Sequence, residues 1–179
     1  MKSGIKTWTL VLTIFLLIVA GCKNPAPEEN TRKPFTEDDL VRVNRYLVEK
    51  DHKAIRRFIE RQGWKMQQTA TGLWYEIIEH GHGPAGCKGC MAVLSYKVSL
   101  LDGTLCYSSG KDGLKEFLIG QGGVESGLEE AILLLHQGDS ARLVLPPYLA
   151  HGLTGDQNKI PGRASLVYEL RVLRIIPAQ

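Results

Sequence analysis

An α+β fold, an antiparallel β-sheet wrapped on one central helix with an N-terminal helical extension, is predicted by three features of this sequence. The second half alternates short apolar runs with Gly- and Pro-marked turns, at strand length rather than helix length. One segment among them, Gly127 to Gln137, keeps helical spacing, with Leu128, Ala131, Ile132 and Leu135 on one face. A longer helical pattern, Thr36 to Gly63, precedes all the strands.

The first residues predict processing rather than structure. Lys2 and Lys6 precede an apolar run from Trp8 to Ala20, followed by Gly21 and Cys22. A basic start, a short apolar run and small residues mark a secretory signal. The run is shorter than the roughly 20 residues a spanning helix needs. Lys23 to Pro34 is polar, Pro-containing and aperiodic, the composition of a flexible tether. Thr36 opens the helix. Asp39 sits three residues on as an acidic variant of the capping box, and Phe35 can staple onto Leu40. Leu40, Val43, Leu47, Ile55, Phe58 and Ile59 hold helical spacing as far as Gly63, a C′ stop. The pattern leaves open whether a break near Asp51 makes this two helices.

Strands are predicted at Leu73–Ile78, Met91–Leu101, Thr104–Tyr107 and Glu116–Ile119. Asp102-Gly103 between two apolar runs is a hairpin signal. Gly138 ends the central helix, Asp139 opens the turn into Ala141–Leu145, and Leu166–Ile175 closes the sheet. The organisation is therefore a signal segment (1–21), a tether (22–35), a helical extension (36–63) and one domain (64–179). Formal net charge is only +3 and the basic residues are scattered, so no basic stripe marks a nucleic-acid partner.

The run from Phe117 to Ile175, FLIGQGGVESGLEEAILLLHQGDSARLVLPPYLAHGLTGDQNKIPGRASLVYELRVLRI, resembles the C-terminal two-thirds of an FKBP-type peptidyl-prolyl isomerase domain. The resemblance extends over about Leu73 to Ile175 and is most specific from Gly138 onward. It implies the FKBP-like form of the predicted fold, action on X-Pro bonds, and no cofactor. An X-Pro bond isomerises slowly because amide resonance sets a barrier of about 18–20 kcal/mol. The twisted amide is less polar than the planar one. An apolar-walled pocket with one or two aimed donors therefore favours the transition state without nucleophile or metal.

On the family's pattern, Tyr96 in LSYKVSLLDG matches a wall tyrosine, Val124 an aliphatic pocket residue and Leu128 the pocket floor. The backbone N–H of Glu125 matches the donor to the carbonyl preceding proline. Ile160 resembles the aliphatic flap, and Tyr168 in LVYEL the aromatic that closes the pocket. His151 in LAHG stands where the family places a tyrosine, and an imidazole N–H can donate in its place. Several positions depart from the pattern. Cys106-Tyr107 replaces a Phe-Asp pair, Leu128 replaces tryptophan, Lys115 or Leu114 replaces an aromatic, and the Glu125 side chain replaces an aliphatic one. Lost aromatic contacts cost about 1–3 kcal/mol each, and about 1.36 kcal/mol is tenfold in rate. A catalytically weak or inactive binding module for proline-containing segments is thus the alternative.

Small residues directly before Cys22 resemble the bacterial lipobox, which implies acylation of Cys22 and tethering to a membrane by lipid. Together with PPYLAHGLTGDQNKIP, this resembles the gliding-motility-associated FKBP lipoproteins of the Bacteroidota. That implies a bacterial cell-envelope location, at the periplasmic face or cell surface, with proline-containing exported polypeptides as partners. The other cysteines stay open. Cys87 and Cys90 form a CxxC that reads as a disulfide, as free thiols or, with His80 and His82, as metal ligands. Cys106 reads as a pocket thiol or a small buried hydrophobe.

Overall fold

The computed structural model describes residues 36–177. The expectations for the signal segment, the acylated Cys22, the tether and Phe35 lie outside these residues. Residues from Asp38 onward form one compact unit. Its first element, α1 (Glu37–Gln62), is a single helix of 26 residues with no break at Asp51. Gly63, at φ +67°, ends it. The Gly63 N–H bonds to the Glu60 carbonyl and the Trp64 N–H to the Ile59 carbonyl, the paired bonds of a Schellman stop.

The strands are β1 (Gln67–Gln68), β2 (Trp74–Glu79), β3 (Met91–Leu100), β4 (Leu105–Ser108), β5 (Lys115–Leu118), β6 (Ser140–Leu145) and β7 (Leu166–Ile176). They pair antiparallel in the order β1-β2-β6-β7-β3-β4, with β5 also on β3. A short helix, α2 (Ser109–Asp112), separates β4 from β5, so two short strands share one long partner. The helix α3 (Ser126–Leu133) packs Leu128, Ala131 and Ile132 into the main core. The predicted fold class is borne out.

Period-two alternation builds both layers. Leu166, Tyr168, Leu170 and Val172 of β7 face the core that includes α3, whereas Val167 faces the other way. There Val167 and Val144 meet Ile55, Phe58 and Ile59 of α1, with Trp64 and Trp74 packed against them. The C-terminal half of α1 thus covers the outer sheet face. Its N-terminal half keeps Leu40, Val43 and Tyr46 exposed.

Three elements depart from the sequence expectation. β1 and α2 carry no apolar periodicity, and α3 stops at Leu133 rather than Gln137. Tertiary pairing ends α3: the Gly86 N–H bonds to the Leu135 carbonyl, the Gln137 N–H to the Pro84 carbonyl, and Ala85 bridges His136. Gly86 lies so close that a Cβ there would sit 1.9 Å from the Ile132 carbonyl oxygen.

Candidate functional site

A cavity of about 210 Å³ opens between β3, β4, β5, the start of α3, the loop after β6, and β7. Tyr96, Val98, Tyr107, Lys115, Glu125, His151, Asp156 and Tyr168 line it. Strand geometry explains the first three. Tyr96 and Val98 are two residues apart and share a face of β3, while Tyr107 pairs with Val98 across the hairpin. Tyr168 is the register partner of Val98 from β7 and is fully buried. The rings of Tyr96 and Tyr168 stand 6.5 Å apart.

At the centre lies a carboxylate rather than an apolar side chain. Glu125 precedes α3 and its side chain is 4% exposed, so every charge and dipole around it acts through little water. The Tyr168 hydroxyl donates to Glu125 Oε1 at 2.5 Å and His151 Nε2 donates to the same oxygen at 3.1 Å. Lys115 Nζ donates to Glu125 Oε2 at 3.3 Å and to the Tyr168 hydroxyl oxygen at 3.4 Å. The ammonium also lies 5.5 Å from the Tyr96 ring centre and 5.8 Å from that of Tyr168. Burial pushes the Glu125 carboxyl up, but Lys115, the Tyr168 hydroxyl, its own backbone N–H and His151 outweigh it. The net shift is downward and the group is an anion at neutral pH. For Tyr168, burial first and then the Glu125 charge and hydrogen bond push the phenol well above its ordinary value, so it stays a donor.

At the mouth, the Tyr107 hydroxyl donates to Asp156. Asp156 also accepts from the backbone N–H groups of Asn158 and Ile160, which ties the long loop to β4. Lys159 Nζ sits 4.5 Å from the Tyr107 ring centre.

Of the residues singled out in the sequence, Tyr96, Glu125, His151 and Tyr168 converge on this cavity. Val124 is half-buried and packs against the same core, while Leu128 and Ile160 are buried within it, behind the lining. An apolar wall was expected here. The wall instead carries a hydrogen-bonded cluster of Lys, Glu, His and Tyr, because the Lys115 and Glu125 replacements compensate each other. Val98, Tyr107 and Asp156 complete the lining. The signal for Val98 was the alternation of β3 and that for Asp156 the Asx-turn residues GDQN, while Tyr107 had already stood out in the pair that replaces Phe-Asp.

Cys87 and Cys90 are joined in a disulfide, and His80 and His82 are exposed. Among the described residues no group of three or more His, Cys, Asp or Glu side chains is gathered as a metal site. Cys106 is a buried core thiol, and burial followed by the charges of Asp156 and Asp102 pushes its pKa up. Two larger depressions, about 280 and 250 Å³, lie over Arg142, Glu169 and Arg171 and beside Phe58 and Trp64. Neither contains a buried ionisable group.

Residues 85–173 match the family model for FKBP-type peptidyl-prolyl cis-trans isomerases. The chain belongs to that family. It is similar to the FKBP-type peptidyl-prolyl cis-trans isomerase FkpA of Escherichia coli, with 32% identity over 122 residues. That match takes in 68% of this chain and 44% of the relative, so the chain spans less than half the length of that protein. The crystal structure of FkpA from Escherichia coli superposes with a TM-score of 0.64 at 24% identity, over 99% of this chain and 76% of that one, a likeness of fold. A peptidyl-prolyl cis-trans isomerase from Pseudomonas syringae gives a TM-score of 0.60 at 25% identity, over 72% of this chain and 96% of that one.

Proposed function

We propose that this FKBP-type protein catalyses cis-trans isomerisation of X-Pro bonds in exported polypeptides, from a lipid anchor at Cys22 in a bacterial cell envelope. The observation that carries the reading is the convergence of Tyr96, His151, Glu125 and Tyr168 on one cavity of the FKBP fold. Tyr96, Val98 and Tyr168 supply apolar surface for a proline ring. His151 Nε2 and the Glu125 backbone N–H are the donors nearest to where a peptide carbonyl would enter. His151 Nε2 now points at the Glu125 carboxylate. A substrate must therefore exchange its carbonyl for that carboxylate, which sets the activity below that of a pocket with an aliphatic side chain at this position. The lipobox-like run before Cys22 and the LAHG motif support kinship with the gliding-motility lipoproteins and a membrane-tethered location.

A second reading is favoured by the same cluster: a groove that holds proline-containing segments without turning them over. Exchange NMR on an X-Pro peptide separates the two, using the full mature chain with Glu125→Gln and His151→Phe. The isomerase reading expects cis-trans exchange above the uncatalysed rate, slower in His151→Phe and faster in Glu125→Gln. Saturable binding without faster exchange in any of the three proteins favours the binding module.

A further inference from the structure

One wall of the cavity is the loop between β6 and β7, and both of its feet stand on two adjacent residues of α1. At the entry foot, Tyr148 lies in the 3₁₀ turn Pro147–Leu149, three residues before His151. Its hydroxyl bonds to His52 Nε2 at 2.9 Å and donates to the Thr71 carbonyl at 3.0 Å. The other His52 nitrogen meets Gln68 Nε2 at 3.3 Å, so the ring is held from both sides. At the exit foot, Arg163 lies three residues after Ile160. Its guanidinium reaches Asp51 Oδ2 at 2.6 Å, and the Asp51 side chain is 17% exposed.

The backbone at the exit foot is unusual. Arg163 sits at φ +60°, a conformation that L side chains disfavour. Two contacts hold it there: its N–H donates to the Gly152 carbonyl at 2.8 Å, closing the loop on itself, and its side chain is clamped by Asp51. A strained loop residue fixed by an ion pair from a distant element depends on that element for its geometry. At the entry foot a Cβ on Gly72 would lie 2.2 Å from the Tyr148 hydroxyl oxygen and 2.8 Å from the His52 ring, so the backbone comes close to leave room for this bond.

We propose that Asp51 and His52 are positioning residues for the pocket: α1 sets the loop that carries His151, Asp156 and Ile160. The helix ahead of the domain is then tied to the site through these two residues, and their bonds to the loop are read out in how it presents its donor. This rests on the prolyl-isomerase reading of the cavity.

The test uses the full mature chain and two readouts, kcat/KM on an X-Pro peptide and hydrogen exchange of segment 147–164. The variants are Asp51→Asn/His52→Phe, the charge-exchanged pair Asp51→Arg/Arg163→Asp, and Ile55→Val as a control. Ile55 packs in the cluster that joins α1 to Val144 and Val167 of the sheet, so its truncation loosens the helix there. An aspartate is tolerated at positive φ better than most residues, which suits the exchanged pair. Asp51→Asn/His52→Phe is expected to speed exchange in 147–164 and lower kcat/KM by roughly tenfold, equivalent to about 1.4 kcal/mol. The charge-exchanged pair recovers part of both, and Ile55→Val lowers the melting temperature with kcat/KM unchanged. Wild-type exchange and kcat/KM in Asp51→Asn/His52→Phe overturn the proposal. Faster loop exchange in a protein without isomerase activity in any variant leaves positioning standing and removes the enzymatic reading.

Discussion

Replacing Lys115 with methionine removes the ammonium that faces the buried Glu125 carboxylate. Breaking a buried pair from one side costs about 3–5 kcal/mol, since the stranded charge keeps its desolvation penalty. Two features lower that figure here. The Lys115 side chain is 23% exposed, so water already screens part of the attraction, and Tyr168 and His151 still donate to the carboxylate. We therefore expect Lys115→Met to cost about 2–3 kcal/mol at pH 7. Glu125→Ile alone leaves a lysine that reaches solvent and a Tyr168 hydroxyl without its acceptor, at about 1–2 kcal/mol. The double variant removes both charges and restores the aliphatic side chain of the family pattern. Its total cost should fall short of the summed singles by at least about 1.5 kcal/mol. Urea denaturation of the four proteins measures this coupling. Single costs that add to within about 0.5 kcal/mol in the double variant would refute a coupled buried cluster.

Three further outcomes follow from named contacts. The Glu125 carboxyl titrates below its unfolded value of about 4.3, so its contribution is full above that value and is lost as pH falls through the folded one. Glu125→Gln should flatten the acid limb of the stability curve, and parallel wild-type and variant limbs contradict the assigned shift. Gly72→Ala forces an L side chain to φ +99° and drives the Tyr148 hydroxyl from its partners. Thermal melts should show a loss of about 2–4 kcal/mol, and a loss under about 0.5 kcal/mol means the backbone is not pinned there. Reducing the Cys87–Cys90 disulfide, whose sequence separation is 3, should cost about 2 kcal/mol in the chain-entropy model. An unchanged unfolding midpoint in reductant argues against a staple.

Much of the fold was legible in the sequence because its signals are local. Val167 facing α1 while Leu166 and Tyr168 face the core is period-two alternation made visible. Gly63 stops α1 by the motif its position suggests. The end of α3 was not legible, since the loop at Gly86 that replaces its last turn docks from more than 40 positions away. The site was half legible. Lys115 and Glu125 each stood out as departures, yet nothing local joins Glu125 to a residue 10 positions before it and others 26 and 43 after it. Two compensating charges at positions that normally hold an aromatic and an aliphatic residue are the clue in retrospect. The Asp51–Arg163 clamp spans 112 positions and has no sequence signature at all.

Catalysed refolding of a protein limited by a proline isomerisation shows whether this chain is an isomerase. Uncatalysed, that phase takes tens to hundreds of seconds. We expect the protein to accelerate it in proportion to its concentration, and Tyr96→Ala and Tyr168→Phe, both still folded, to slow the acceleration. A slow phase that stays at its uncatalysed rate at every concentration of folded protein, with aggregation of the substrate suppressed, would contradict it and leave a proline-segment holdase on the FKBP fold.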